Sequence, residues 1–187
     1  SLREMASAGV EIGTHGAFYR SQVGRGSARV VADLTLARRR ITEEIGAPPR
    51  LFSYAYGQYD QHVRDLVAEH GFVAALGQQS GPAHSGSDLY ALPRFSVFGA
   101  FAEPARFRLV LDVLPLPVSE LVPALPIIAG NPPPIGFTVA EGIEPLDRLA
   151  CFVGGLGQVA LDRLGARRFE LRLDAPLAAG RARINCT

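Results

Sequence analysis

The first hundred residues alternate between segments that favour strand and segments that favour helix, and this alternation constrains the fold more than any other feature. The apolar and turn-forming residues predict strands near 10–14, 51–55, 72–76 and 92–97, and helices at 27–45 and 60–70. Such alternation is typical of parallel strands with helices packed outside them. Four strands and two complete helices make about half of a (β/α) barrel, and a half barrel has an exposed edge.

The composition changes after residue 103. Seven of the fourteen prolines lie between Pro115 and Pro134, so residues 104–134 are predicted to form a Pro-rich connection. Beyond it, residues 169–174 alternate between apolar and polar side chains, and Gly/Pro turns separate short apolar segments. We therefore expect an α/β protein, with a partial (β/α) barrel in residues 1–103 and a small antiparallel β domain in residues 135–187.

Charge and hydropathy exclude two broad classes. All 19 basic residues are Arg, 18 residues are acidic and the net charge is +1, so nothing indicates a nucleic-acid binder. No apolar run reaches transmembrane length. The chain starts in a helical pattern, so the lack of a signal peptide leaves export open. Cys151 and Cys186 are either a disulfide or two buried thiols; we expect them to be close, and bridged if the protein is exported.

Only one of the four histidines is placed where chemistry is expected. His15 directly follows a predicted strand, where α/β proteins position ligands and catalytic groups. His62 and His70 are eight residues apart on one predicted helix, too far to share one metal ion. His84 lies in a Gly/Ser-rich loop. Surface positions are the expected ones for these last three.

Four segments resemble polysaccharide deacetylases of the NodB-homology, carbohydrate esterase type. They are the strand EIGTH at 11–15, the stretch PRLFSYAYGQYD at 49–60, the pair GF at 71–72 and ALPR at 91–94. Their order and spacing match the family over residues 1–98. The stretches 134–139 and 180–187 look like a β extension attached to some bacterial members. The resemblance covers the C-terminal part of the family's barrel, so we expect the missing upstream half to be a partner of this chain.

The resemblance implies metal-dependent hydrolysis of N-acetyl groups on amino-sugar glycans, with a divalent ion, zinc above all, and an aspartate base. It assigns the metal positions to His15 and Tyr19. It assigns the oxyanion N–H to Tyr56, and places Arg50 beside the catalytic carboxylate and Arg94 in the same cavity. The substrate-binding positions are Tyr54 and Phe52.

Three departures from the family pattern matter. The strand that supplies the aspartates is expected upstream of residue 1. Tyr19 stands where the family has its second metal histidine, and a neutral phenol is a poor zinc ligand. Ala55 replaces the proline of the turn before Tyr56. We therefore expect this chain by itself to hold no metal tightly and to deacetylate nothing.

The leading hypothesis is a fragment of a deacetylase, a hydrolase of amide C–N bonds that modifies N-acetylated polysaccharide of the cell envelope or an exopolysaccharide. The expected location is the cell envelope or outside the cell. One alternative is a catalytically dead, deacetylase-like glycan-binding protein, and another is an exopolysaccharide assembly module.

Overall fold

The computed structural model describes residues 1–128 and 130–187, and it divides into two compact units, Ser1–Val113 and Leu114–Thr187. Ala129, within the predicted Pro-rich connection, lies outside the described residues. None of the helices in the described ranges is long and apolar enough to cross a membrane.

The first unit contains four helices and a narrow parallel sheet. The helices are α1 (Leu2–Ser7), α2 (Ser27–Ile45), α3 (Gln61–Glu69) and α4 (Pro104–Asp112), and the strands are β1 (Leu51–Ser53) and β2 (Ala74–Leu76). β1 and β2 pair in parallel. Single parallel bridges extend the sheet on both sides, from Thr14 to Phe52 and from Leu76 to Leu92. The four predicted parallel segments are therefore present in sequence order, but the first and last form one bridge each rather than strands.

The two central helices begin and end where local chemistry predicts. Gly46 adopts the left-handed conformation at φ 81° and ends α2. The Asp60 side chain accepts the Val63 N–H at 2.8 Å and caps α3. Both helices bury an apolar stripe, which includes Val30, Leu34, Val63 and Val67, all 0% exposed. This burial fixes the helices and so positions the loops between them and the strands.

The second unit is a six-stranded antiparallel sheet. Its strands are β3 (Val118–Val122), β4 (Ile135–Val139), β5 (Cys151–Val153), β6 (Gly157–Arg163), β7 (Arg168–Arg172) and β8 (Ile184–Cys186). They lie in the order β3-β4-β7-β6-β5-β8. Alternate residues of β4 and β7, including Phe137 and Phe169, are buried in one core. Period-two alternation predicted β7 and the antiparallel class, and both are confirmed.

Three elements were not predicted where they lie. α4 and β3 lie in the stretch 104–134, where the sequence predicted a connection, and β3 pairs with β4 as an edge strand. All five residues of β3 are exposed, so the strand has no buried face and its sequence lacks the apolar–polar alternation that predicts a half-buried strand. β6 also went unrecognised: it begins at Gly157, and only Val159 and Leu161 of its side chains are partly buried.

Cys151 and Cys186 form a disulfide between directly paired positions of β5 and β8. The bridge closes a loop with a sequence separation of 35 and joins the edge strand β8 to the buried Cys151. The prediction that the two cysteines are close is confirmed.

We expect Cys151→Ala/Cys186→Ala to lower the unfolding free energy of the second unit by about 2–4 kcal/mol, because the bridge restricts the unfolded chain. Hydrogen exchange read by peptide mass spectrometry measures this, with peptides of α2 and α3 as the internal control. Unchanged protection of β5 and β8 in the double variant would contradict the prediction.

Candidate active site

The parallel pairing brings His15 and Tyr56 to the same edge of the first unit. Thr14 exchanges backbone hydrogen bonds with β1: its N–H donates to Leu51 O at 3.0 Å and its carbonyl accepts the Ser53 N–H at 2.8 Å. His15 is the next residue after this bridge, and Tyr56 follows β1 by three residues. Both therefore lie at the carboxyl ends of neighbouring parallel segments, the edge at which α/β folds place their sites.

Three rings meet at this edge, and we call His15, Tyr19 and Tyr56 the aromatic cluster. The ring centroids of His15 and Tyr19 are 4.9 Å apart in an edge-on arrangement, and those of Tyr19 and Tyr56 are 4.7 Å apart. The Tyr56 hydroxyl donates to Tyr19 O at 3.4 Å. Tyr19 is 53% exposed and Tyr56 42%, so the cluster presents an open aromatic surface.

Tyr56 has a strained backbone. It lies in a single 3₁₀ turn, Ala55–Gly57, with φ 58° and ψ 10°, a region that residues with a side chain rarely adopt. Gly57 follows with φ 68°, and a Cβ there would lie 2.6 Å from Gln78 Cβ. None of the hydrogen bonds in the described part of the chain uses the Tyr56 N–H. This strained turn therefore presents a free donor beside the aromatic cluster.

A buried carboxylate holds the loop that carries His15 and Tyr19. Asp33, on the core-facing side of α2, is 6% exposed. It accepts the Phe18 N–H at 3.1 Å and the Gln22 side-chain amide at 2.8 Å. Gly16, with φ +92°, makes the close approach possible, because a Cβ there would lie 2.2 Å from Asp33 Oδ2. Asp33 and Gly16 therefore fix the path of the chain on both sides of Ala17.

Burial raises the pKa of Asp33 above its usual range, and the backbone N–H groups of Phe18 and Ala17, with nearby Arg25 and His15, oppose that rise. Sequence reasoning missed this residue. The available signal was an acidic residue in the apolar stripe of α2, between Val30 and Leu34, where an unpaired charge is rarely tolerated.

None of the contacts found among the described residues links the two proposed arginines to the aromatic cluster. Arg50 is exposed and directly precedes β1, whereas Tyr56 follows the strand. The convergence of Arg50 with the cluster stays a prediction. Arg94 does follow the last parallel bridge, and its N–H donates to Gln79 O at 2.8 Å. Among the described residues, no side-chain contact links Arg94 to the three rings.

The proposed substrate-binding positions are core residues. Phe52 and Tyr54 are 1% and 2% exposed. Phe52 packs against Phe72, and Tyr54 stacks on Tyr59 at 4.5 Å between centroids. A substrate needs accessible surface, so the assignment of Phe52 and Tyr54 to substrate binding is corrected: these alternate residues at β1 face the core.

The remaining histidines stay outside the cluster and have local partners. His62 Nε2 lies 3.1 Å from Ser27 Oγ, and His70 Nδ1 lies 2.6 Å from Leu66 O. His84 Nδ1 accepts the Gly86 N–H. Their exclusion from the His15 region stays a prediction.

The residues present do not fit a divalent metal by themselves. Across residues 1–128 and 130–187, no group of three or more His, Cys, Asp or Glu side chains is placed to hold one. His15 offers one imidazole, and Tyr19 at its side is a phenol, whereas zinc sites use three or four protein ligands.

Comparison with known proteins shows what the first unit is similar to. The family model for polysaccharide deacetylases matches residues 1–75. The first unit is therefore similar to polysaccharide deacetylases over these residues. The fold agrees: the Streptococcus pyogenes deacetylase PplD, solved in complex with acetate, superposes with a TM-score of 0.55 at 12% identity, covering 60% of this chain and 49% of that one.

A de-N-acetylase from Aggregatibacter actinomycetemcomitans is also similar, with a TM-score of 0.48 and 18% identity over 58% of this chain and 51% of that one. The chain thus spans about half the length of these two solved deacetylases. No curated protein sequence matches it. The predicted fold class, a partial barrel of deacetylase type followed by a small antiparallel β domain, is confirmed.

We expect Asp33→Ala to destabilise the first unit by about 1–3 kcal/mol, because the Phe18 N–H and the Gln22 amide lose their acceptor. Asp33→Asn keeps an acceptor and is expected to cost less. All five tyrosines lie in residues 1–103 and there is no Trp, so tyrosine fluorescence during urea unfolding reports on this unit alone.

The raised pKa of Asp33 predicts that the unfolding free energy of the first unit depends on pH. A carboxyl whose pKa is raised by folding binds its proton more tightly in the native state, so its stabilising effect is full at acid pH. That effect is lost as the pH rises through the native pKa. Asp33→Asn should remove this loss and flatten the fall in unfolding free energy from acid to neutral pH. If the unfolding free energy of Asp33→Asn has the same pH dependence as that of the wild type, the pKa of Asp33 does not differ between the folded and unfolded states.

Gly16→Ala should destabilise the first unit more than Gly24→Ala, by at least about 1 kcal/mol. Both glycines have positive φ, +92° and +70°, so both variants carry the cost of about 1–2 kcal/mol for a left-handed alanine. Only Gly16 has Asp33 against the new Cβ, since no atom lies within 4 Å of the position at Gly24. Equal losses in urea unfolding would mean that the loop shifts freely away from α2.

Proposed function

We propose that the aromatic cluster edge of the first unit serves the hydrolysis of N-acetyl groups on amino-sugar glycans. The observation that carries the proposal is the exposed Tyr56 turn, with its free N–H, in ring contact with Tyr19, which in turn contacts His15, in a unit similar to polysaccharide deacetylases. The similar solved proteins are a deacetylase and a de-N-acetylase. The wider role proposed is modification of cell-envelope polysaccharide or exopolysaccharide.

The chemistry asked of this edge is amide cleavage. Water adds to the acetamide carbonyl carbon, the C–N bond then breaks, and acetate and the free amine leave. The carbonyl oxygen carries negative charge at the tetrahedral stage, and a fixed N–H donor is the group that stabilises it. Tyr56 fits this role because its strained turn exposes a donor without an internal acceptor. Asp33 acts as a positioning residue for the loop of His15 and Tyr19.

Metal dependence is proposed for the deacetylase reaction, with His15 and Tyr19 as the positions nearest the family's metal ligands. A divalent ion supplies an activated water and a Lewis acid when bound. His15 and Tyr19 alone do not provide the three or four protein ligands that a zinc site needs.

A second candidate is glycan binding without cleavage. The specific observation that favours it is Tyr19, which puts a ring with more than half its surface exposed where a metal ligand is expected. Open aromatic faces are common in sites that bind ligands without transforming them. Acetate release and equilibrium binding with acetylated chitotetraose separate the two functions: binding without acetate release favours the second, and turnover favours the first.

We expect Tyr19→His to increase the zinc retained after dialysis, because a second imidazole then lies beside His15 at ring-contact distance. Phe18→His is the matched control, since it adds the same group to the same loop one residue outside the cluster. Metal content by mass spectrometry is the measurement. Equal retention in the two variants would show that position 19 is ordinary wall packing.

A further inference from the structure

A groove of about 390 Å³ opens between α2 and the loop that follows His15. Phe18, Arg20, Arg25, Arg29 and Asp33 are among its lining residues. The volume is within the range of small-ligand sites in proteins. The groove adjoins the aromatic cluster, because Phe18 lines the groove and the next residue, Tyr19, belongs to the cluster.

The groove carries excess positive charge. Three guanidinium groups line it, against one carboxylate, Asp33, which already accepts two hydrogen bonds. Elsewhere in the described ranges, six arginines form ion pairs with carboxylates. None of the ion pairs found among all the described residues involves Arg20, Arg25 or Arg29. Asp33 interacts electrostatically with Arg25, so the three guanidinium groups and one carboxylate give the groove a net positive charge.

The arginines are also partly oriented. The Arg25 Nε donates to Ser21 O at 2.7 Å, which leaves its terminal nitrogens for another acceptor. The Arg20 guanidinium lies over the Phe18 ring, 5.7 Å from its centroid. Arg29 is exposed in the first turn of α2. Guanidinium groups bind carboxylates through paired N–H donors, and an adjacent apolar ring suits the C–H face of a pyranose.

We propose that this groove binds the carboxylate of a uronic acid residue. The inference rests on the proposed function in one respect: the sugar at the cluster is an N-acetylated amino sugar. Together the two sites select a glycan in which amino sugars neighbour uronic acids. A neutral glycan would make no ion pair with the arginines, and a free inorganic anion would make no apolar contact with the half-exposed Phe18 ring.

Isothermal titration of the whole chain with trigalacturonate tests the proposal, with inorganic phosphate and acetylated chitotriose as separate arms. Trigalacturonate should bind, and added salt should weaken it. Arg29→Gln should weaken binding about fivefold, and Arg20→Gln/Arg29→Gln about tenfold or more, as expected for the loss of charge-assisted hydrogen bonds. Arg40→Gln is the matched control: it removes the same charge from an exposed position of α2 outside the groove, and should change binding less than about twofold.

Several outcomes overturn the proposal: no binding of trigalacturonate, equal weakening by Arg40→Gln, or binding of phosphate alone. Tyrosine fluorescence checks that each variant is folded. Chitotriose reports on the proposed function separately. If the protein binds acetylated chitotriose but not trigalacturonate, the proposal for the groove is wrong and the proposed function is unaffected. If it binds trigalacturonate but not chitotriose, the proposal for the groove stands and the glycan specificity proposed for the cluster is wrong.

Discussion

A single buried carboxylate organises the candidate site. Asp33 faces the core of the first unit from the middle of α2, and its burial is tolerated because the Phe18 N–H and the Gln22 amide donate to it. Through those bonds a rigid, 19-residue helix positions a loop that has no regular structure of its own. The positions of His15 and Tyr19, and the shape of the arginine groove, all follow from that attachment.

The sheet is too narrow to provide this rigidity. β1 and β2 have three residues each, and single bridges join them to the segments on either side. Tyrosine hydroxyls supplement the backbone ladder where it is thin: Tyr54 donates to Tyr90 O at 3.0 Å and Tyr90 donates to Phe72 O at 2.8 Å. Tyr54 is therefore a buried structural residue, which explains why its position in a family motif did not make it a substrate contact.

Sequence reasoning succeeded where one local rule decided the outcome. Helical periodicity and the glycine stop predicted α2, and period-two alternation predicted β7. It failed where the outcome depends on which side of an element a residue occupies. Phe52 and Tyr54 lie in a matching motif but face the core, and Asp33 lies in a helix for which the sequence analysis considered only the apolar stripe. Resemblance aligns residues along the chain, whereas a site requires convergence in space.

The chemistry of the site depends on Tyr19, which places a phenol where polysaccharide deacetylases have a metal-binding imidazole. Its contacts run to His15 on one side and to Tyr56 on the other, so the two expected metal positions and the expected oxyanion residue form a continuous aromatic surface. Such a surface favours contact with a sugar ring, and the strained Tyr56 N–H beside it favours a carbonyl oxygen. These two features support the proposal that this edge recognises an N-acetylated sugar, whether or not the amide is cut.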